Sequence, residues 1–182
     1  MGGHQAGEIA SALAINAVVD YVKSHGDAAD KVEMLAESAR EANRRVIEEG
    51  SRNRKRKGMG STLVAMLRDG DQMGIVHVGD SRAYRLRDGE LRQMTSDHTL
   101  GALGFGGTLG TRLSRAVGTK IGVVVDLIIA RPVPDDVYLL CSDGLTKMVK
   151  DDSICEVLKA NPDPNDAAKV LVERANEGGG RD

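Results

Sequence analysis

The apolar period of the chain changes at Gly60, and that change constrains the fold more than any other feature. Before it, two segments repeat at the spacing of a helix face. Ile9, Leu13, Ala17 and Tyr21, with Ala10, Ala14 and Val18, recur over residues 7 to 24, and Gly26 is expected to end that helix. Val32, Leu35, Ala36, Ala39, Ala42 and Val46 form a second stripe over roughly 30 to 49. Glu33, Glu37, Arg40, Glu41, Arg44 and Arg45 fill the opposite, solvent side. After Gly60 the segments STLVAML, QMGIVHVG and RAYRLR are short and separated by turn residues. Asp69-Gly70 and Asp88-Gly89 predict type I′ hairpins, which need positive φ at both central positions. Residues 61 to 95 therefore read as an antiparallel meander. Two more strands are expected near 123 to 130 and 136 to 142. Helical period returns over about 151 to 160 and 164 to 177, where Asp163 is a candidate N-cap and Pro164 the first helical residue.

Helices, then strands, then helices predict an α+β fold rather than alternating βαβ units. The length suits one domain, 1–182. Apolar residues make up 41% but aromatic residues only 2%, so the core must be aliphatic. The net charge of −2 gives no general field for nucleic acid or anionic membrane, and neither is expected as a partner. The local exception is the run Arg52-Asn53-Arg54-Lys55-Arg56-Lys57. It reads as a solvated loop, with a docking patch for an acidic or phosphorylated partner as the alternative.

Cys141 and Cys155 are too few for a disulfide framework and form no C-x-x-C pair. They read as small apolar fillers in a reducing compartment. No apolar run is long enough to span a bilayer, and no secretory signal is evident. The expected location is cytoplasmic. The glycine-rich stretch GALGFGGTLGT, 101 to 111, reads as a flexible loop. It lacks the Lys-Ser or Lys-Thr ending of a nucleotide-binding loop.

Candidate chemistry lies on aspartates. Asp80 follows a strand in His77-Val78-Gly79-Asp80-Ser81-Arg82, Asp143 follows another in Leu139-Leu140-Cys141-Ser142-Asp143-Gly144, and Asp182 ends Gly180-Arg181-Asp182. A carboxylate pushed out of a strand end into a tight turn suits hard cations such as Mg²⁺ and Mn²⁺, which need oxygen ligands. An aspartate in a turn also serves simply to hydrogen-bond its own backbone, as Asp69 and Asp88 are expected to do.

MGGHQAGE, GSTLVAML, VHVGDSRAYRLRDGEL, TSDHTL, LSRAVGT, LLCSDGLTKMV and GGGRD occur in that order. Together they resemble the metal-dependent serine/threonine phosphatases of the protein phosphatase 2C type, in their compact bacterial form, over nearly the whole chain. The resemblance implies an α-β-β-α sandwich of two antiparallel sheets flanked by helix pairs. It implies two Mn²⁺ or Mg²⁺ ions, with a third weaker site, and hydrolysis of phosphoserine and phosphothreonine by metal-activated water without a phosphoenzyme. Asp143 and Asp182 would ligate one core ion, and Asp80 with Asp143 the third. His4 would stand near the leaving group as proton donor. His77 reads as structural, His98 as holding its loop, and His25 as surface. The implied partners are phosphorylated proteins, with the activity opposing a serine/threonine kinase.

The chain departs from the family pattern at both ends. The family has an Asp-Gly directly before Met-Gly-Gly-His, an upstream phosphate-binding arginine, and an Asn and a closing strand after the position of Asp182. The flap between Thr99 and Thr111 is shorter. MGGHQAGE thus reads as the second half of a metal-site loop rather than a true start, and the domain as incomplete at both ends. If the Asp-Gly is truly lacking, a catalytically inactive phosphatase-like binding module is the alternative.

Overall fold

The computed structural model describes residues 6–180, which divide into two compact units. One runs to Asp80 and includes Asp97–Pro132. The other comprises Ser81–Ser96 and the chain from Val133.

The first unit lays two helices, α1 (Gly7–Ser24) and α2 (Lys31–Arg52), on an antiparallel sheet. Its strands are β1 (Leu63–Asp69), β2 (Gln72–Val78) and β5 (Asp126–Ala130), in the order β1-β2-β5. The Asp30 carboxylate starts α2 by accepting from the Val32 and Glu33 amides at 3.0 and 2.9 Å. That helix outruns its expected end and reaches Arg52, into the basic run. Ala36, Ala39 and Ala42 face Ala10, Ala14 and Ala17, and such small residues let two helices pack closely. Leu63, Val76, Val78 and Val117 complete an aliphatic cluster. Each fully buried Val or Leu contributes roughly 1.5–3 kcal/mol. The outer face of α2 carries Arg40 with Glu33, and Arg44 and Arg45 with Glu41, surface ion pairs that water screens to little net worth.

The second unit pairs β3 (Arg82–Arg87) with β4 (Glu90–Gln93) on one side and β6 (Val137–Cys141) on the other. Helices α5 (Asp151–Ala160) and α6 (Pro164–Glu177) cover it through Ile154, Val157, Leu158, Ala167 and Leu171. Asp163 caps α6 from its side chain at 2.7 Å to the Asn165 amide, as expected. Arg87 grips Asp136 through two hydrogen bonds, Nε to Oδ1 at 2.7 Å and Nη2 to Oδ2 at 2.6 Å.

Three expectations are corrected. The run 61 to 95 is not one meander. β2 pairs with β1 and β5, β3 pairs with β4 and β6, and the chain leaves one sheet for the other after Val78. Long-range partners such as Ile75 with Ile128 and Tyr84 with Leu139 outcompete the next strand in sequence. Asp69-Gly70 is also not the centre of its turn. Asp69 pairs with Gln72, so the central residues are Gly70 and Asp71, and only Gly70 has positive φ (60°). That is the type II′ pattern. Asp88 and Gly89, at 50° and 77°, keep the type I′ pattern. Third, the glycine-rich stretch is not featureless. It folds into a 3-10 turn (Gly101–Leu103) and a one-turn helix, α3 (Gly107–Gly110). A Cβ on Gly110 would lie 2.6 Å from the Phe105 carbonyl oxygen, so glycine there permits backbone to pack on backbone.

Candidate functional site

Asp80 is positioned by the residue before it. β2 is buried from Met73 to Val78, and the chain then bends at Gly79, whose φ is 114°. A Cβ on Gly79 would come 2.4 Å from Thr62 Cγ2, so any larger residue is excluded twice, by conformation and by space. His98 holds the same bend. Its amide donates to the Gly79 carbonyl at 2.8 Å, and its Nδ1 accepts from the Gly79 amide at 3.1 Å. An accepting Nδ1 places the neutral ring's proton on Nε2, which donates to Asp126 Oδ2 at 3.0 Å. Arg115 Nη1 donates to the other oxygen of Asp126 at 2.7 Å. Burial raises the Asp126 pKa, but the hydrogen bonds from His98 and Arg115, with the charge of Arg115, outweigh it, and the carboxyl sits below its ordinary range. His77, fully buried, stacks obliquely on His98 with ring centroids 4.6 Å apart.

The donor atoms of His77, His98 and Asp126 lie within 4.8 Å of one another. Such a set could ligate a cation, yet the guanidinium of Arg115 already supplies positive charge at Asp126. The cluster therefore works as a buttress behind the Gly79–Asp80 bend. His98 holds its loop and His77 is packed in the interior, as expected. Arg115 and Asp126 were not expected beside them. The signal for Arg115 was present in LSRAVGT, whereas Asp126 stands at a strand start with nothing local to distinguish it.

Asp143 sits in the second unit. β6 ends at Cys141, and Asp143 opens a one-turn helix, α4 (Asp143–Thr146), rather than a tight turn. Its carboxylate, largely shielded from solvent, is paired with Lys147 one turn on. His4 and Asp182 lie outside the described residues. His25 is an exposed cap on α1, stacked on Tyr21, as expected. Cys155 is a free thiol. No helix among the described residues is long and apolar enough to cross a membrane.

Taken singly, Asp80 and Asp143 each offer carboxylate oxygens just beyond a strand end, the donor type that hard cations such as Mn²⁺ and Mg²⁺ select.

Residues 1–173 match the family model described as protein phosphatase 2C. Serine/threonine phosphatase stp of Listeria welshimeri is 34% identical over 196 residues, covering all of this chain and 78% of its own. The crystal structure of serine/threonine phosphatase PstP/Ppp of Mycobacterium tuberculosis superposes with a TM-score of 0.90 at 36% identity, over all of this chain and 81% of that one. The PstP catalytic domain in complex with two manganese ions gives 0.88 at 37% identity, over all of this chain and 80% of that one. The helices and two antiparallel sheets are those of a phosphatase catalytic domain. The chain belongs to the protein phosphatase 2C family, and is a metal-dependent serine/threonine protein phosphatase using Mn²⁺ or Mg²⁺.

Proposed function

We propose that this chain removes phosphate from phosphoserine and phosphothreonine in proteins, with Asp143 and Asp182 ligating one core cation, Asp80 and Asp143 a further one, and His4 donating the proton. The observation that carries this reading is the Gly79–Asp80 bend, fixed from both sides by Thr62 and His98, within a chain that matches the family over residues 1–173. A carboxylate on a backbone held this way loses little freedom when it takes up an ion. When bound, Mn²⁺ or Mg²⁺ makes water more acidic and offsets charge on the phosphoryl oxygens. His4 meets a different need. The departing seryl or threonyl oxygen is strongly basic, and an imidazolium beside it supplies the proton it requires. The likeness to stp and PstP also supports an activity opposing a serine/threonine kinase, and a sequence with only two cysteines supports a cytoplasmic location. The alternative of an inactive binding module draws no support from these comparisons.

The test is turnover of a phosphothreonine peptide by the intact protein in Mn²⁺, with and without chelator. Metal-dependent turnover that Asp143→Asn abolishes is the expected result. Turnover indifferent to chelator, or undiminished in Asp143→Asn, would remove Asp143 from the site.

A further inference from the structure

The catalytic reading leaves the basic run unused, and the structure gives it a shape. α2 ends at Arg52, and Asn53 Oδ1 then accepts from the Lys55 amide at 3.0 Å, capping a 3-10 turn from Arg54 to Arg56. The chain reverses at Gly58, with φ 76°. Arg56 folds back onto Glu49. Arg52, Arg54 and Lys57 stay exposed and line a cleft of about 760 Å³ that has no carboxylate in its wall among the described residues. Ile47 and Ile121 line it too, and both also line an adjoining hollow of about 540 Å³, where the Glu48 carboxylate is neutralised by Arg44, so one groove runs along the C-terminal half of α2. Ile121 is 84% exposed, an uncovered apolar side chain beside three uncommitted cations.

The far wall is built rather than incidental. Asn43 is buried; its Oδ1 accepts from the Gly118 amide at 2.8 Å and its Nδ2 donates to the Lys120 carbonyl at 3.0 Å. A Cβ on Gly118 would fall 2.3 Å from Val46 Cγ1, so this loop is locked against α2. The groove also lies toward the Asp80 end of its own sheet. Ser61 bridges Val117, β1 begins opposite Val78, and Thr62 touches Gly79. From Lys57 to Thr62 the chain spans at most about 17 Å.

We propose that this groove docks an acidic segment of the phosphoprotein substrate, separate from the phosphorylated residue itself. Arginine forks pair carboxylates in a two-pronged way, and Ile47 with Ile121 accepts an apolar neighbour. A chain of net charge −2 repels acidic partners at long range, and a concentrated basic groove reverses that locally. The proposal rests on the phosphatase reading for its substrate.

The experiment uses the intact protein with Mn²⁺ and three probes. They are p-nitrophenyl phosphate, a phosphothreonine peptide with a Glu-rich flank, and the same peptide with Gln for Glu. The Glu peptide is expected to have a KM about tenfold lower than the Gln peptide, the advantage shrinking as salt rises. Arg52→Gln/Arg54→Gln/Lys57→Gln is expected to erase that advantage while leaving p-nitrophenyl phosphate turnover and Tm unchanged. Equal KM for the two peptides, or an advantage that survives in the triple variant, would overturn the proposal. Fluorescence anisotropy of the unphosphorylated Glu peptide reads docking without catalysis. Binding lost in the triple variant supports the groove even if p-nitrophenyl phosphate is not turned over, a result that would sink the phosphatase reading alone. A single-stranded oligonucleotide competing as well as the peptide at equal charge would show a general anion surface and overturn it.

Discussion

His98 and Gly79 are joined twice, amide to carbonyl at 2.8 Å and amide to ring nitrogen at 3.1 Å, and the residue after Gly79 is Asp80. The far side of the same ring reaches Asp126, which Arg115 also holds. A chain of contacts thus runs from a salt bridge, through an imidazole, to the backbone that precedes Asp80. On the proposed function, this makes His98 a positioning residue for that carboxylate.

His98→Ala is expected to raise the Mn²⁺ concentration for half-maximal activity by about 10–100-fold, as loss of a supporting partner does at metal sites. His98→Asn, whose Oδ1 falls near the place of Nδ1, should recover most of that affinity. Mn²⁺ titration of the intact protein beside a thermal melt separates the two effects. Equal metal affinity in both variants would show that the ring merely fills space.

Gly79→Ala should destabilise by about 2–4 kcal/mol, since it adds positive-φ strain to a clash with Thr62. For a chain of this size that lowers Tm by roughly 5–15 °C. Gly58→Ala is the comparison: its φ is 76° but nothing lies within 4 Å of the added carbon, so only about 1–2 kcal/mol is expected. Similar melts for the two variants would mean that contact with Thr62 does not matter.

His4→Ala should slow a phosphothreonine peptide by about 10²-fold or more in kcat. With p-nitrophenyl phosphate, whose leaving group needs no proton, the loss should stay within roughly tenfold. Matching losses on both substrates would place His4 in binding or folding instead of proton donation.

Asp136 predicts an acid-sensitive contact. The hydrogen bonds from Arg87 lower its carboxyl pKa the most, burial opposes them, and the Val133 amide and Tyr138 hydroxyl lower it further, so the folded value lies far below the ordinary one. The stabilisation is therefore complete above the ordinary carboxylate range and is lost as pH falls below about 4. Asp136→Asn should destabilise at pH 7, because it removes the charge held by Arg87, the Val133 amide and the Tyr138 hydroxyl. The cost should shrink between pH 4 and 2 in urea unfolding. A cost unchanged by pH would contradict a charged pair.

Much of this was legible in residue order. The stripe Val32 to Val46 and the cap at Asp163 specify helices through contacts within a turn or two, which sequence period records directly. The strands were legible as segments but not as partners. Nothing near Gln72 announces that Met73 will pair with Ala130. The Asp69 turn was misplaced by one residue because Gly70 satisfies either turn, and only the pairing of Asp69 with Gln72 selects between them.

The sequence by itself determined the helices, the aliphatic core and the strand segments. Tertiary structure alone decided which strands share a sheet, that Gly79 must be glycine because Thr62 leaves no room, and that Arg115 and Asp126 stand behind His98. The reason is distance along the chain. Helix and turn preferences are settled among neighbouring residues, whereas strand pairing and buried polar contacts join residues far apart, and exist only once the backbone has brought them together.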